Sequence, residues 1–377
     1  MARVVISPVM TTSLAAVQIA AKATELRQFP LPEIPPDGGL LRVVKAGICG
    51  SDVPMYADPS RAPRILGHEN VGTIEALGPL ARDRWGVQEG DLVALEEYLP
   101  CGHCADCRSG EYRACAETDL KSKNALRYGS TSTTVWPALW GGYSQFQFLH
   151  PRAVLHKVPA GVSPRLAAMA LPLGNGFQWA YLDGGAGPGQ VVVVQGPGQQ
   201  GLACVVAAKV AGARMVIVSG LARDEHRLEV ARQLGADHVV VVDREPLRPR
   251  VEELTGGEMA DLVLDVSSGG AREVINGGIE LLRKRGRLIA AAGKQRPLDG
   301  FDLDTVSRKR LTLRGARGHS FHAVELALQL MTQNRVPLEA MSTHEFGLGG
   351  VDEALRLVGG EKAPAQAIHV TIDPWQN

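Results

Sequence analysis

The hydrophobic pattern of the chain changes near residue 160, and the two parts predict different folds. From 161 to 318, apolar runs alternate with helical stretches, which is typical of parallel strands covered on both faces by crossover helices. The clearest run is QVVVVQ at 190–195. Further strands are predicted at 215–219, 238–242, 262–265, 288–292 and 311–313, and helices at 202–211, 224–234 and 271–282. Six such strands form a doubly wound parallel sheet, so the predicted fold class is α/β.

The first 160 residues have a different texture. Their β-rich runs are short, are separated by glycines and prolines, and lie at 40–44, 71–74 and 92–95. This texture favours a small, partly open β-barrel. After 318 an amphipathic helix is predicted at 321–331, and too few residues remain for another domain. We therefore predict domains at 1–160 and 161–318, with 319–377 completing the first.

The run at 190–195 leads into a glycine motif and then into a predicted helix. Glycines at spacing G-x-G-x-x-G allow a tight turn and a close approach of the backbone to a pyrophosphate. The start of the helix offers unpaired N–H groups to the same anion. The sequence therefore predicts a dinucleotide site on these residues: Gly196, Pro197, Gly198, Gln199, Gln200 and Gly201.

The choice between NAD and NADP stays open at this stage. An NAD site usually carries a carboxylate at the end of its second strand, where it binds the ribose 2′-OH. Here the strand at 215–219 ends at Gly220 instead, and Arg223 and Asp224 follow in the loop. Arg223 is suited to a 2′-phosphate, whereas Asp224 could reach back to a 2′-OH. All three residues are candidates for cofactor binding.

The composition excludes several classes of partner. With 40 Lys+Arg and 40 Asp+Glu, the formal net charge is zero, which is no footprint for nucleic acid or an acidic membrane. No stretch approaches the roughly 20 apolar residues of a membrane span. Residues 1–23 superficially resemble a signal peptide, but Pro8 and several polar residues interrupt the apolar run. We therefore expect neither a nucleic acid nor a membrane as a partner.

Four of the six cysteines lie within 15 positions, and their spacing suits a metal ion better than disulfides. Four thiolates can close a tetrahedron around Zn²⁺ without an open position, which is typical of a structural site. His103 lies inside the cluster and is expected to be a bystander. A chain that keeps its thiols reduced indicates the cytosol. The predicted structural zinc ligands are Cys101, Cys104, Cys107 and Cys115.

A second candidate metal site combines Cys49 with the sequence Gly67-His68-Glu69. Sulfur, imidazole nitrogen and carboxylate oxygen are the usual ligands of zinc, and a catalytic zinc keeps three of them and an open fourth position. These residues alone are equally consistent with no metal site, in which Cys49 is a small buried apolar residue and Gly67-His68-Glu69 is an ordinary loop.

Five motifs together resemble those of the zinc-containing medium-chain alcohol dehydrogenases. Their order and spacing are specific, and they cover nearly the whole chain: GICGSD at 47–52, GHE at 67–69, the cysteines at 101–115, GGY at 141–143 and GPGQQG at 196–201. The resemblance implies a GroES-like catalytic domain, an inserted Rossmann domain and a final segment that folds back. It also implies homodimers or homotetramers formed through the last Rossmann strand.

The resemblance also implies roles for single residues. Cys49 and His68 would hold a catalytic zinc, Ser51 would pass on the substrate proton, and Asp52 would support the His68 ring. Sorbitol-type members are similar in using the Glu after the His, which implies Glu69 as the third ligand.

Two positions depart from the family pattern. Leu171 stands where many members have a cysteine or glutamate near the metal, and Pro54 replaces the histidine that continues the proton relay. Leucine cannot bind a metal ion. Leu171 therefore keeps a rival open, in which a metal-free NADPH-dependent reductase of enones or quinones uses the same fold. A non-catalytic nucleotide-binding protein is a third interpretation.

The expected reaction is reversible hydride transfer between an alcohol and the nicotinamide of NAD or NADP. Tyr56, Trp136 and Trp140 point weakly to a secondary, cyclic or aromatic alcohol. The aromatic residues in the segment 117–140 could line a pocket, or they could pack that segment against the barrel.

Overall fold

The computed structural model describes residues 10–119, 125–268, 271–291, 293, 297–361 and 366–376. Residues 1–9 of the signal-like run, residues 120–124 of the aromatic segment and residue 292 of the strand predicted at 288–292 lie outside the described residues.

The described chain contains sixteen strands in three sheets. The strands are β1 (Thr12–Ala20), β2 (Ala23–Pro30), β3 (Gly39–Gly47), β4 (Arg64–Ile65), β5 (Glu69–Leu77), β6 (Leu92–Leu95), β7 (Phe146–Leu149), β8 (Leu155–Lys157), β9 (Val191–Gln195), β10 (Met215–Gly220), β11 (His238–Val241), β12 (Ala260–Asp265), β13 (Leu282–Ala290), β14 (Thr312–Gly315), β15 (Ser342–Phe346) and β16 (His369–Ile372).

Twelve α-helices connect or cover these strands in the same part of the chain. They are α1 (Asp52–Ala57), α2 (Pro79–Trp85), α3 (Ala105–Arg108), α4 (Pro164–Ala167), α5 (Ala170–Gly176), α6 (Gln199–Val210), α7 (Glu225–Gln233), α8 (Leu247–Leu254), α9 (Ala271–Leu281), α10 (Leu303–Lys309), α11 (Phe321–Gln333) and α12 (Val351–Val358). None of the helices in the described ranges is long and apolar enough to cross a bilayer.

The six strands β9 to β14 form one parallel sheet in the order β11-β10-β9-β12-β13-β14. This is the strand order of a Rossmann fold, and it confirms the predicted doubly wound sheet. The central strand β9 is apolar because it is covered on both faces, and Val191 to Val194 are all fully buried.

The largest boundary error concerns β13, which begins at Leu282, six residues before the predicted run at 288–292. Its first half contains the charged, exposed side chains Arg283, Lys284 and Arg285. An apolar pattern cannot mark a strand whose polar side chains face solvent.

The remaining strands form a seven-stranded sheet and a three-stranded sheet. The larger one has the order β15-β16-β3-β5-β6-β8, with β7 also paired to β3, and the smaller one has the order β2-β1-β4. Strand β1 occupies residues 12–20 of the signal-like run. Strand β16 pairs with β3, with Thr371 opposite Gly47, which brings the chain's last strand beside the GICGSD motif. The boundaries at 160 and 318 stay predictions.

Most of the aromatic residues are packed in the interior. Tyr128 and Trp140 are buried against each other, and Trp140 also packs edge-on against Phe148. The buried Tyr56 hydroxyl donates to Asp352 Oδ1 at 2.8 Å. The packing interpretation therefore holds for Tyr128 and Trp140, and Tyr56 and Trp140 no longer support an aromatic substrate. Trp136 is 70% exposed.

Candidate active site

The two halves of the candidate metal site meet at one edge of the seven-stranded sheet. Strands β3 and β5 are antiparallel, and Gly47 at the end of β3 lies opposite Glu69 at the start of β5. Cys49 follows β3 and His68 precedes β5, so strand pairing brings them together. The Cys49 sulfur, a His68 ring nitrogen and a Glu69 carboxylate oxygen all lie within 4.8 Å of one another.

Gly67 lies where the chain turns into this site, and the turn requires glycine. Its φ is +91°, and a Cβ there would lie 2.6 Å from the ring of Tyr143. The Tyr143 hydroxyl in turn donates to Asp52 Oδ2 at 3.1 Å. The GGY motif therefore belongs to the support of this site, a role that the spacing alone does not show.

Asp52 is fully buried and holds both sides of the metal-binding set. Its Oδ2 accepts from the Cys49 backbone N–H at 3.0 Å, and its Oδ1 lies 3.1 Å from His68 Nδ1. The other ring nitrogen, His68 Nε2, lies 3.4 Å from Ser51 Oγ. Asp52 therefore faces His68 Nδ1, and His68 Nε2 faces Cys49 and Ser51. A histidine that binds a metal through one ring nitrogen usually has such a partner at the other.

Sequence reasoning missed an ion pair beside the same ring. Glu97 Oε2 lies 3.8 Å from His68 Nε2, and Arg127 Nε donates to Glu97 at 3.0 Å. Arg127 belongs to the segment between the cysteine cluster and the GGY motif. Leu171 is buried on α5 and offers no donor atom. The sequence signal for Glu97 was weak, since it is only a charged residue soon after a buried strand.

The electrostatics of the site suit a bound cation. Burial lowers the pKa of His68, but Asp52 and Glu97 outweigh it and raise that pKa well above its usual value. Burial, together with Glu69, raises the pKa of the Cys49 thiol. Burial raises the pKa of Glu69 to about 7. Several acidic groups therefore share a small buried volume, and a divalent cation would offset their repulsion, so this donor set fits zinc.

The four cysteines of the second cluster also come together, with all four sulfurs within 4.8 Å of one another. The Cys107 sulfur lies 3.9 Å from that of Cys101 and 3.4 Å from that of Cys104. Four sulfurs bound tetrahedrally to one zinc would be about 3.8 Å apart. Hydrogen bonds from the backbone of His103 and Cys104 lower the pKa of Cys101 to about 6, which favours the thiolate. The cluster fits a structural zinc.

The His103 side chain lies outside the group of sulfur donors. The ring is exposed, and its Nδ1 lies 3.0 Å from the Cys101 carbonyl oxygen. A closed four-sulfur site needs no further ligand.

The glycine motif forms one wall of a cavity of about 740 Å³. Gly196 has φ +106°, and a Cβ on Gly201 would lie 1.9 Å from the Gly196 carbonyl oxygen. A Cβ on Gly198 would meet nothing, so the backbone there is open to the cavity. Helix α6 begins at Gln199 without a side-chain cap, so its first N–H groups are free for an anion. The motif fits a pyrophosphate.

The end of β10 leaves no space for the carboxylate typical of an NAD site. A Cβ on Gly220 would lie 2.8 Å from Pro197 Cγ. Asp224 is held within its own loop, because Oδ2 accepts from the Leu221 N–H at 3.1 Å and Oδ1 pairs with Arg227 at 3.1 Å.

Besides Arg227, which pairs with Asp224, two arginines line the same cavity, Arg223 after β10 and Arg248 on α8. Within the described ranges, neither guanidinium has a hydrogen bond or an ion pair to another residue. Sequence reasoning missed Arg248, because it lies 25 positions beyond Arg223 on a different element and nothing local marks it.

Comparison with known proteins follows the same two-part division. Residues 35–160 match a family described as the alcohol dehydrogenase GroES-like domain, and residues 201–333 match the zinc-binding dehydrogenases. A probable alcohol dehydrogenase of Mycobacterium tuberculosis is 38% identical over 360 residues, which cover 94% of this chain and 96% of that protein. A sorbitol dehydrogenase of Halalkalibacterium halodurans is 32% identical over 89% of this chain and 91% of its own length.

A solved structure shares the architecture. An alcohol dehydrogenase from Thermotoga maritima superposes with a TM-score of 0.83 at 26% identity, covering 96% of this chain and 99% of that one. The predicted GroES-like and Rossmann architecture is confirmed, and the metal-free reductase is not favoured. The chain therefore belongs to the zinc-containing medium-chain alcohol dehydrogenase family, and it is a zinc-dependent oxidoreductase that acts on alcohols with NAD(P).

Proposed function

We propose that Cys49, His68 and Glu69 hold the catalytic zinc, and that this site oxidises an alcohol reversibly beside the nucleotide. The observation that carries the proposal is a contact between the two candidate sites. The Gln199 side chain, on the first residue after the glycine turn, donates to the Glu69 carboxylate at 3.0 Å. The metal-binding set and the nucleotide loop are therefore neighbours, as hydride transfer between an alcohol and a nicotinamide requires.

When bound, the zinc supplies a Lewis acid that stabilises negative charge on the alcohol oxygen, and the nicotinamide supplies the hydride acceptor. The protein's own residues orient these groups and move the proton. Asp52 fixes the His68 ring and the Cys49 backbone. Ser51 takes the alcohol proton, and because Ser51 is exposed, it can release the proton directly to water. A relay histidine is therefore not needed at Pro54.

We propose that the cofactor is NADP rather than NAD. Gly220 has no space for a carboxylate, and Asp224 is engaged within its own loop. Arg223 and Arg248 instead present two positive charges to the cavity. A ribose 2′-phosphate would pair with them, whereas of the two carboxylates that line the cavity, Asp224 and Glu273, the first is already engaged. Gly196 to Gly201 would hold the pyrophosphate.

Metal analysis combined with a turnover assay tests the proposed site. Wild-type protein should contain two zinc ions per chain and change absorbance at 340 nm with alcohols and NADP. Cys49→Ala should retain one zinc, keep its circular dichroism and lose turnover. Cys204→Ala is a matched control, because Cys204 is buried on α6 outside both groups of donors. Turnover that survives in Cys49→Ala, or a single zinc in the active wild type, contradicts the proposal.

The substrate is a small alcohol or ketone, and we propose a secondary, cyclic or aromatic alcohol. Of the aromatic residues in the sequence argument, Trp136 alone is left to support that choice. A panel of aromatic, cyclic and sugar alcohols with both cofactors tests it. A strong preference for sugar alcohols would overturn this choice while leaving the reaction class intact.

We further propose a cytosolic homodimer or homotetramer. All six cysteines are unpaired, as expected in a reducing compartment. In the part of the chain that the structure describes, β14 is the edge of the parallel sheet, its four residues are exposed and Leu313 is 36% exposed. Pairing of two such edges would extend the sheet. Light scattering should give a dimer or tetramer, and Leu313→Asp should give a monomer.

A further inference from the structure

The amide of Gln199 reaches from the nucleotide loop into the metal-binding set. Its Nε2 lies 3.0 Å from Glu69 Oε2 and 3.3 Å from Oε1, although 130 positions separate the two residues. Gln199 is the first residue of α6, and its backbone is fixed by the glycine turn. Glu69 is only 3% exposed. A hydrogen bond to a buried carboxylate is stronger than one in water, and losing it leaves a charge unsatisfied.

Gly47 and the His369 ring also lie close to the Glu69 carboxylate. A Cβ on Gly47 would lie 2.9 Å from Glu69 Oε2 and 2.9 Å from the ring of His369. Strands β3 and β16 therefore leave little free space beside the carboxylate, and Gln199 approaches it from the nucleotide loop. These neighbours together restrict the directions in which the carboxylate oxygens can point.

The position of Glu69 matters more in this chain because Leu171 contributes no ligand. Among the described residues, Cys49, His68 and Glu69 are the only donors grouped at this site. A carboxylate that rotates away would leave two protein ligands, which is fewer than a catalytic zinc keeps.

We propose that Gln199 is a positioning residue that fixes Glu69 as the third metal ligand and thereby couples the metal site to the nucleotide loop. The inference rests on the proposed function. Ordering of the loop by NADP would hold the Gln199 amide in place and strengthen metal binding. By thermodynamic linkage, the metal would strengthen NADP binding by the same factor.

The experiment measures the affinity of the weaker of the two zinc ions by competition with a chelator, with and without NADP, in the full-length protein. Gln199→Leu removes the donor with little change in size, and Gln199→Asn keeps an amide that is too short to reach. Both should weaken zinc binding about tenfold and abolish the effect of NADP on it. Gln329→Leu makes the same change at an exposed residue of α11, outside both sites, and should leave the zinc affinity and its coupling to NADP in place.

Cobalt(II) in place of zinc provides a readout that is independent of turnover. Its visible absorption bands report the ligand set, and they should shift in both Gln199 variants but not in Gln329→Leu. Unchanged zinc affinity, coupling and cobalt spectrum in both Gln199 variants would overturn the inference. If wild-type protein binds one zinc even with NADP, the proposed function fails instead. If the protein binds two zinc ions and NADP still strengthens zinc binding in both Gln199 variants, the role of Gln199 is wrong and the proposed function stands.

Discussion

His319 Nε2 lies 2.9 Å from Glu96 Oε1 in the protein interior, although 223 positions separate the two residues. Glu96 is fully buried and also contacts His156 Nε2 at 3.1 Å and the Tyr112 hydroxyl. Tyr112 belongs to residues 101–115, the cysteine lobe that carries the four sulfur donors, and His319 follows the last strand of the parallel sheet. One carboxylate thus connects the lobe, the barrel and the chain that leaves the nucleotide-binding sheet.

Replacement of Glu96 by glutamine should be strongly destabilising, because it removes the one negative charge that these three groups share. Breaking a buried pair by removing one partner typically costs about 3–5 kcal/mol of unfolding free energy. Urea denaturation measures the loss. Glu258→Gln is the control, since Glu258 is 65% exposed in its ion pair with Arg214 and should matter by less than about 1 kcal/mol. Equal midpoints for the two variants would contradict the prediction.

The same cluster predicts a pH dependence of stability. Burial raises the pKa of Glu96, but His319 and His156 outweigh it and hold that pKa well below its usual range. The contribution of Glu96 to the free energy of unfolding is therefore present above about pH 4.5 and lost as the pH falls through the folded pKa. Burial lowers the pKa of His156, but hydrogen bonds to Glu325 and Glu96 raise it overall. The contribution of His156 to the free energy of unfolding is therefore present below about pH 6.5 and lost as the pH rises through the folded pKa.

The cluster should therefore contribute most between about pH 4.5 and 6.5, where both terms are present. Urea midpoints of wild type and His156→Gln across pH 4 to 9 test this. The difference between the two proteins should be largest in that window and shrink toward alkaline pH. A difference that grows above pH 7 would show that the sign of the His156 shift is wrong.

Substitutions of Asp52 and Tyr143, which support the metal ligands, should reduce zinc binding and activity to different extents. Asp52→Asn keeps the shape but removes the charge behind His68, and such changes typically cost about 10–100-fold in metal affinity or activity. Tyr143→Phe removes only one hydrogen bond to Asp52 and should cost less. Zinc content by mass spectrometry and kcat/KM measure both. A larger loss in Tyr143→Phe than in Asp52→Asn would mean that Asp52 does not act through its charge.

Substitution of one cysteine in the four-cysteine lobe should remove the structural zinc and leave the catalytic metal site intact. Cys107→Ser should reduce the zinc content from two ions to one and lower the thermal midpoint, because a structural zinc contributes directly to folding free energy. Cobalt bound at the Cys49 site should keep its spectrum. Retention of two zinc ions in Cys107→Ser would show that the cluster is not a four-sulfur site.

The sequence was sufficient where chemistry and pattern are local. The run at 190–195 followed by the glycine motif predicted the central strand, the turn and the helix, because each depends on neighbours in the chain. The Glu96 cluster was not predictable, since its partners stand 16, 60 and 223 positions away. Gln199 was predicted for cofactor binding, but its contact with Glu69 depends on how the two domains meet. Periodicity carries no information on that arrangement.

The NADP proposal makes a prediction about Arg223 and Arg248. Each charge-assisted contact to a phosphate is worth about 1.5–3 kcal/mol, so Arg223→Ala and Arg248→Ala should each raise the KM for NADP about 10–100-fold. The KM for NAD should change little, because NAD lacks the 2′-phosphate. Arg244→Ala is the control, since Arg244 is exposed and paired with Glu225. Equal losses for both cofactors would contradict the assignment of a 2′-phosphate to these residues.

The closeness of the Pro197 ring to Gly220 predicts how the cofactor preference can be reversed. Gly220→Asp alone should impair binding of both cofactors, because its Cβ would lie 2.8 Å from Pro197 Cγ and would displace the glycine turn. Adding Pro197→Ala removes the ring atoms that cause the clash. The double variant should then favour NAD, since its new carboxylate can accept from the ribose 2′-OH and repels a 2′-phosphate. Comparison of kcat/KM for NAD and NADP across wild type, both single variants and the double variant measures this. If Gly220→Asp alone already binds NAD well, the Pro197 ring does not restrict this position.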